Sequence, residues 1–210
     1  MNRRPNDARA WVRMPSAKRL DLLDPTPFDW EDADLALGLS RTYRWGGHSA
    51  WPRPLSVAQH SLTVMVLRRS AAGGALAPAL QLRELLHDAE EGLLGFDCVS
   101  PLKPFLGEGF RQLSQRLERA VFLRYGLPSW TPREHALHKR ADRLAAASEA
   151  VHVAGWSAQD VRRTLKIRIA PLADDPLQPI YGDPAWEPWP PAVACERFLT
   201  ELQRLQAACV

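Results

Sequence analysis

The sequence predicts an all-α protein that folds as a single helical bundle. Apolar residues recur at helical spacing along most of the chain, no stretch keeps the alternation of a β-strand, and no internal repeat is visible. A chain of 210 residues with 46% hydrophobic and 24% charged residues is long enough for one domain with its own core. We therefore expect about six to seven helices in a domain of residues 30–210, after an extended N-terminal segment of residues 1–29.

The first three predicted helices are separated by segments that contain glycine and proline. The first is expected to run from near Trp30 to Arg41, with acidic residues in its first turn. The second begins after Ser56, whose hydroxyl can cap it, and ends before Gly73. The third is expected to run without interruption over residues 78–94, with its leucines facing inward.

The second half of the chain predicts the rest of the bundle. A fourth helix is expected around Phe110–Arg124, and Gly126 ends it. Thr131, followed three residues later by Glu134, has the pattern of a capping box for a fifth helix that reaches about Ala154. The remaining elements are a sixth helix, an irregular strap rich in proline and tryptophan, and a last helix, over residues 158–169, 170–193 and 192–208.

Charge and cysteine content argue against several classes of protein. The net charge is +3, but basic residues are interleaved with acidic ones, so no polymeric nucleic acid is expected as a partner. No apolar run is long enough for a membrane span, and the N-terminus lacks the apolar core of a signal peptide. The widely spaced Cys98, Cys195 and Cys209 suggest neither a disulfide framework nor a zinc motif, so we expect a cytoplasmic protein.

Four residues form a candidate metal site. His87 and Asp88 are adjacent at the polar end of an apolar stretch, His60 lies upstream, and Asp142 lies downstream. Neighbouring residues of a helix point about 100° apart, so an adjacent His and Asp rarely share a packing role but can bind one ion at a helix end. Two imidazoles and two carboxylates suit one divalent transition metal, Mn, Co, Fe, Ni or Zn, with Mg as a further candidate.

The order of these four residues, together with the segments around them, resembles the HD-domain superfamily of metal-dependent phosphohydrolases. The similarity covers about residues 24–156, and is carried by the segments TYRWGGHS, SVAQHS, HDAEEGLLGFDCVSPLK and KRADRLAAASEA. The branch it resembles most is that of the YfbR-like 5'-deoxynucleotidases and related bacterial HD hydrolases. The resemblance implies an HD domain with core motifs in residues 41–156, which hydrolyses nucleotides, in the first place 2'-deoxynucleoside 5'-monophosphates.

Two acidic residues are candidates for catalysis. Glu91 follows Asp88 by one helical turn, and a carboxylate near a metal-bound water can orient the water or accept its proton. Glu91 also matches the catalytic acid in the HDxxE pattern of the family, although Glu90 is an alternative. Asp97 matches a family aspartate that holds the substrate sugar or the attacking water, but Phe96 changes its spacing from Asp88.

Three residues are candidates for binding the substrate. Arginine binds phosphate through two hydrogen bonds and tryptophan offers a flat surface for a base or sugar, and the family has an Arg-Trp pair at the position of Arg44 and Trp45. Lys103 follows the Ser-Pro-Leu segment and can contact phosphate, or can be an ordinary surface lysine. His48, in the same loop as Arg44, is a further candidate.

Other interpretations of the sequence stay open. The same site can serve a deoxynucleoside triphosphate triphosphohydrolase, or a nucleotide sensor that does not turn its ligand over. An iron-dependent oxygenase would need a second metal, for which His135 and His138 are the available histidines. The resemblance also implies a homodimer, since the relatives are commonly dimers and two-fold dimers are the commonest oligomers.

Overall fold

The computed structural model describes residues 10–99 and 101–209, which are mostly helical and confirm the predicted all-α class. No helix in these residues is both long enough and apolar enough to cross a bilayer. The helices are α1 (Asp32–Arg41), α2 (Val57–Ala71), α3 (Pro78–Leu85), α4 (Ala89–Leu94), α5 (Gly107–Tyr125), α6 (Pro132–His152), α7 (Ala158–Arg163), α8 (Gln178–Tyr181) and α9 (Pro191–Ala208).

The N-terminal segment contains a small antiparallel hairpin of β1 (Trp11–Arg13) and β2 (Arg19–Asp21). The sequence analysis predicted an extended segment here and did not predict the hairpin, because three residues per strand are too few to show an alternating pattern. The hairpin belongs to the domain, since Leu20 is fully buried in the main core together with Trp30. Residues 1–9 of the predicted segment lie outside the described residues.

The core lies between α1, α2, α3 and α9. Phe198, Leu202 and Leu205 of α9 are fully buried in the same cluster as Leu35 and Leu39 of α1. The last helix therefore covers the bundle of its own chain. Its apolar face adds no support to the predicted homodimer, which stays a prediction.

Both predicted helix N-caps are confirmed, but the capping box predicted for the second is incomplete. The hydroxyl oxygen of Ser56 accepts a hydrogen bond from the N–H of Gln59, and that of Thr131 accepts from the N–H of Glu134. The carboxylate of Glu134 pairs with Arg68 on α2 and does not close the capping box. This ion pair joins α6 to α2, two helices that supply residues to the candidate site.

The predicted third helix is broken between Leu85 and Ala89, so the expectation of one continuous helix was wrong. Asp88 has φ −115° and ψ 25°, outside the helical region, and α4 begins after it. The apolar pattern hides the break because α3 and α4 pack against the same core. Because the backbone is not helical at the break, the side chains of His87 and Asp88 do not have to point about 100° apart, and both can approach one point.

The C-terminal part also departs from the prediction. The sixth helix, α7, ends at Arg163, six residues earlier than expected, and Lys166 then takes a left-handed conformation with φ 59°. The strap contains the short helix α8 and is held by Asp175, whose carboxylate accepts hydrogen bonds from the N–H groups of Leu177 and Trp186.

Close packing of α1 on α4 depends on glycine, and we expect Gly92→Ala to destabilise the protein. A Cβ on Gly92 would lie 2.5 Å from Cγ of Leu39, and one on Gly38 would overlap the carbonyl oxygen of Gly92. The free energy of unfolding, measured by urea denaturation, should fall by about 1–3 kcal/mol.

Gly109→Ala is the control for this prediction. At Gly109 in α5 a Cβ meets no atom within 4 Å, so this change should raise the free energy of unfolding by about 0.4–1 kcal/mol. Equal effects of the two changes would contradict this role of Gly92.

Candidate metal centre and cleft

The structure brings three of the four predicted metal ligands into one cluster and places the fourth beside it. Oδ2 of Asp88 lies 3.2 Å from Nε2 of His87 and 3.7 Å from Nε2 of His60. Oδ1 of Asp142, from α6, lies 3.6 Å from Nε2 of His60. A transition metal with bonds of about 2.0–2.2 Å holds its donor atoms roughly 3–3.5 Å apart. The cluster of His60, His87 and Asp88 can therefore hold a metal ion.

The two imidazoles are oriented as metal ligands would be. Nδ1 of His87 lies 2.7 Å from the carbonyl oxygen of Glu84, which can only accept, so Nδ1 carries the hydrogen and Nε2 the free electron pair. Nδ1 of His60 lies 2.6 Å from a carboxylate oxygen of Glu149. Both Nε2 atoms are buried and have no hydrogen-bond partner among the described residues. A buried nitrogen with a free electron pair is costly unless it binds something, so this donor set fits a metal ion.

The charges around the cluster favour ionised carboxylates. Although burial opposes it, the neighbouring basic groups of His87, His60 and Arg44 hold the pKa of Asp88 well below its usual range. Burial and Arg44 oppose the protonation of His60, but the carboxylates of Glu149 and Asp142 raise its pKa to about 9. A metal ion would replace this proton and supply the positive charge that the carboxylates attract.

Glu149 is a site residue that the sequence analysis missed. It is 2% exposed on α6, where Oε1 lies 2.6 Å from Nδ1 of His60, and Oε2 accepts a hydrogen bond of 2.9 Å from Nε of Arg44. Burial opposes ionisation, but His60 and Arg44 lower the pKa of Glu149 to about 2. A signal was present in the sequence, because Glu149 lies two helical turns after Asp142, on the same face, within a run of small residues.

The cluster opens into a cleft of about 970 Å³, which is within the size range of small-molecule sites. The predicted catalytic and substrate-binding residues all line this cleft, together with cationic and apolar residues that were not predicted. The lining includes Arg44, Trp45, His48, Asp88, Glu91, Asp97, Lys103 and Asp142, the cations Lys139 and Arg143, and the apolar side chains Val99, Trp156, Leu165 and Ile167.

Glu91 and Glu90 line different cavities. Glu91 lines the cleft beside Asp88, whereas Glu90 lines a second cavity of about 460 Å³ together with Glu118. Oε2 of Glu91 is buried without a partner among the described residues, and Oε1 lies 3.5 Å from Nζ of Lys103. Burial raises the pKa of Glu91 to about 10, and the charge of Asp88 adds to the shift. Of the two glutamates, Glu91 is therefore the one placed to exchange a proton with a molecule in the cleft.

Three other predicted residues of the cleft, Trp45, Asp97 and Lys103, differ in their packing and contacts. Trp45 takes a left-handed conformation with φ 58° and packs against the apolar cluster of Ala147, Ala150 and Val161. Asp97 is partly buried, and burial raises its pKa, although Arg44 opposes the shift. Lys103 contacts Glu91, and Ser100 of the same segment lies outside the described residues.

His135 and His138 are not part of the metal cluster. Nδ1 of His138 lies 2.7 Å from Oε2 of Glu84, and its ring stacks on Trp130 with a centroid distance of 5.0 Å. Within the described part of the chain, neither histidine belongs to a group of side chains that can hold a metal. The placement of these histidines gives no support to a second metal site.

The comparisons with known proteins identify a relative. No model of a known protein family matches the chain. An uncharacterized protein of Rhodobacter capsulatus is 45% identical over 157 residues, which are 74% of this chain and 79% of the relative. The chain belongs to the family of this protein. Because the relative is uncharacterized, membership of the family carries no activity with it, and the function is argued from the site.

Proposed function

We propose that the protein is a cytoplasmic, metal-dependent phosphohydrolase of the HD type, which acts on nucleotides and in the first place on 2'-deoxynucleoside 5'-monophosphates. The observation that carries the proposal concerns the Nε2 atoms of His60 and His87, which are buried, have no hydrogen-bond partner among the described residues, and lie next to the carboxylate of Asp88. These atoms lie at the edge of a cleft large enough for a nucleotide. The resemblance of the sequence to HD hydrolases supports the same interpretation.

His60, His87, Asp88 and Asp142 would hold one divalent metal ion, with Mn, Co, Fe, Ni, Zn and Mg as candidates. When bound, such an ion polarises a phosphoryl oxygen and lowers the pKa of a water molecule. Two other predicted residues then have roles defined by their positions. Arg44 has its Nε atom fixed by Glu149, so the terminal nitrogens of its guanidinium group can bind the phosphate. Glu91 is placed to take up or deliver a proton at Oε2.

The remaining cleft residues would select the nucleotide. Trp45 is fixed by its packing on an apolar cluster and offers its ring to a base or sugar, with Trp156 and Ile167 completing an apolar wall. Asp97 would hold the sugar or the attacking water, and Lys103 would balance the charge of Glu91 or of the phosphate.

Lys139 and Arg143 favour a second candidate function, a deoxynucleoside triphosphate triphosphohydrolase. Both are exposed side chains of α6 that line the cleft on either side of Asp142. Together with Arg44 and Lys103 they give the cleft four cationic side chains, which is more than one phosphate group needs.

A substrate panel tests both candidates. Mono-, di- and triphosphates of deoxynucleosides are incubated with the protein and Mn²⁺, Co²⁺ or Mg²⁺, and phosphate and triphosphate release are measured. We expect phosphate release from monophosphates. Triphosphate release from triphosphates alone would favour the second candidate, and binding without turnover with every metal would show that the site is a sensor.

A further inference from the structure

One carboxylate joins the candidate metal site to the candidate phosphate site. Glu149 contacts His60 through Oε1 at 2.6 Å and Arg44 through Oε2 at 2.9 Å, and is almost completely buried. The other side of the Arg44 guanidinium group faces the metal cluster, since Nη1 lies 3.8 Å from Oδ2 of Asp88. The three residues come from α6, α2 and the loop before α2, so the bridge crosses the centre of the site.

We propose that Glu149 is a positioning residue, which fixes at once the metal-binding form of His60 and the orientation of Arg44 toward phosphate. This inference rests on the proposed function, because it requires His60 to be a metal ligand. By accepting the Nδ1 hydrogen of His60, Glu149 leaves the electron pair on Nε2, the atom that faces Asp88 and Asp142. By accepting the Nε hydrogen of Arg44, it stops the guanidinium group from rotating away from the cleft.

Only a carboxylate can satisfy both partners. The Nδ1 group of His60 and the Nε group of Arg44 are both donors in this arrangement, and each needs an acceptor oxygen. A glutamine has the same shape but one acceptor oxygen, so its NH₂ group would meet one of the two donors. Glu149→Gln should therefore disturb either the metal ligand or the arginine while changing the volume of the core very little.

A second carboxylate bridge in the protein has the same side-chain chemistry, with His138 in the place of the candidate ligand His60. Glu84 accepts a hydrogen bond from Nε of Arg68 at 2.7 Å, and its other oxygen lies 2.7 Å from Nδ1 of His138. Arg68 is 2% exposed and lies on α2, as His60 does. Arg68→Gln thus removes a buried ion pair of the same kind and provides a matched control for loss of stability.

The test measures the dissociation constant for Co²⁺ by calorimetry, together with the melting temperature, in the wild-type protein, Glu149→Gln and Arg68→Gln. We expect about 10- to 100-fold weaker Co²⁺ binding in Glu149→Gln. In Arg68→Gln we expect wild-type Co²⁺ affinity, although this variant should melt at a lower temperature. With a monophosphate substrate, Glu149→Gln should also raise KM, because Arg44 loses its support.

A spectroscopic measurement keeps the inference testable if Glu149→Gln does not fold. In ¹⁵N NMR spectra of the Zn²⁺-loaded wild-type protein, His60 should show a protonated Nδ1 and no hydrogen on Nε2. The opposite protonation would overturn the inference, as would a Glu149→Gln variant that keeps both the Co²⁺ affinity and the KM of the wild-type protein. Absence of Co²⁺ binding by the wild-type protein would overturn the proposed function itself, and is thereby distinguished from failure of this inference alone.

Discussion

Asp88→Asn is expected to abolish metal-dependent hydrolysis, with a loss of more than about 100-fold in kcat/KM. Loss of an outer partner of a metal ligand already costs about 10- to 100-fold, and loss of a ligand should exceed that. Oδ2 of Asp88 lies within 3.8 Å of His60, His87 and Arg44, so its charge is the negative centre of the site. The measurement is kcat/KM on the preferred monophosphate at several Co²⁺ concentrations.

Asp174→Asn is the matched control for this prediction. Asp174 is an exposed aspartate of the strap, outside the cleft lining, and the same chemical change there should leave kcat/KM within about twofold. If Asp88→Asn kept activity within a few-fold of the wild-type value at saturating Co²⁺, Asp88 would not be a metal ligand.

Glu91→Gln is expected to lower kcat by about 10²- to 10⁴-fold, which is the usual contribution of a general acid or base. Its metal content should stay that of the wild-type protein, because Glu91 belongs to the proton-transfer group and not to the proposed ligand set. Glu90→Gln should have a much smaller effect, since Glu90 lines the other cavity. A larger loss in Glu90→Gln than in Glu91→Gln would reverse the assignment.

The Glu91→Gln change should also stabilise the metal-free protein at neutral pH. Burial raises the pKa of Glu91 from 4.5 to about 10, and the charge of Asp88 adds to the shift. The folded state therefore binds the proton of Glu91 more tightly than the unfolded state does. Because of this difference, the wild-type protein loses stability as the pH rises from 4.5 to about 10. Glutamine cannot ionise and avoids this loss. The melting temperature of Glu91→Gln should therefore exceed that of the wild-type protein at pH 7, with the difference vanishing below pH 4.5. A lower melting temperature at both pH values would show that the carboxylate of Glu91 stabilises the fold.

The helices could be predicted from the sequence where local signals agree with packing. Ser56 and Thr131 mark helix starts because a side-chain oxygen before an amphipathic stretch satisfies free N–H groups. The break at His87 could not be predicted, because the apolar pattern continues through it and the backbone change serves the site. The hairpin of β1 and β2 was missed for a different reason, since its strands are too short for a pattern and are held by burial of Leu20.

The candidate ligands were recognisable from their chemistry, but the partners that orient them were not. His60, His87, Asp88 and Asp142 stand out because the adjacent His-Asp pair, one upstream His and one downstream Asp make a mixed nitrogen and oxygen ligand set, in an order that resembles that of HD hydrolases. The sequence places Glu149 on the same helical face as Asp142, but it gives no sign that Glu149 meets Arg44, which lies 105 residues away. The cations Lys139 and Arg143 were also missed, since exposed basic residues on a helix carry no sequence signal of facing a cleft.

Metal content is the most direct test of the central proposal. The wild-type protein, His87→Ala and the control His135→Ala are purified, loaded with Co²⁺, freed of excess metal, and analysed by inductively coupled plasma mass spectrometry. We expect about one metal ion per chain in the wild-type protein and in His135→Ala, and almost none in His87→Ala, because Nε2 of His87 is buried and has no hydrogen-bond partner in the described part of the chain. Equal metal content in the wild-type protein and His87→Ala would contradict the proposed site.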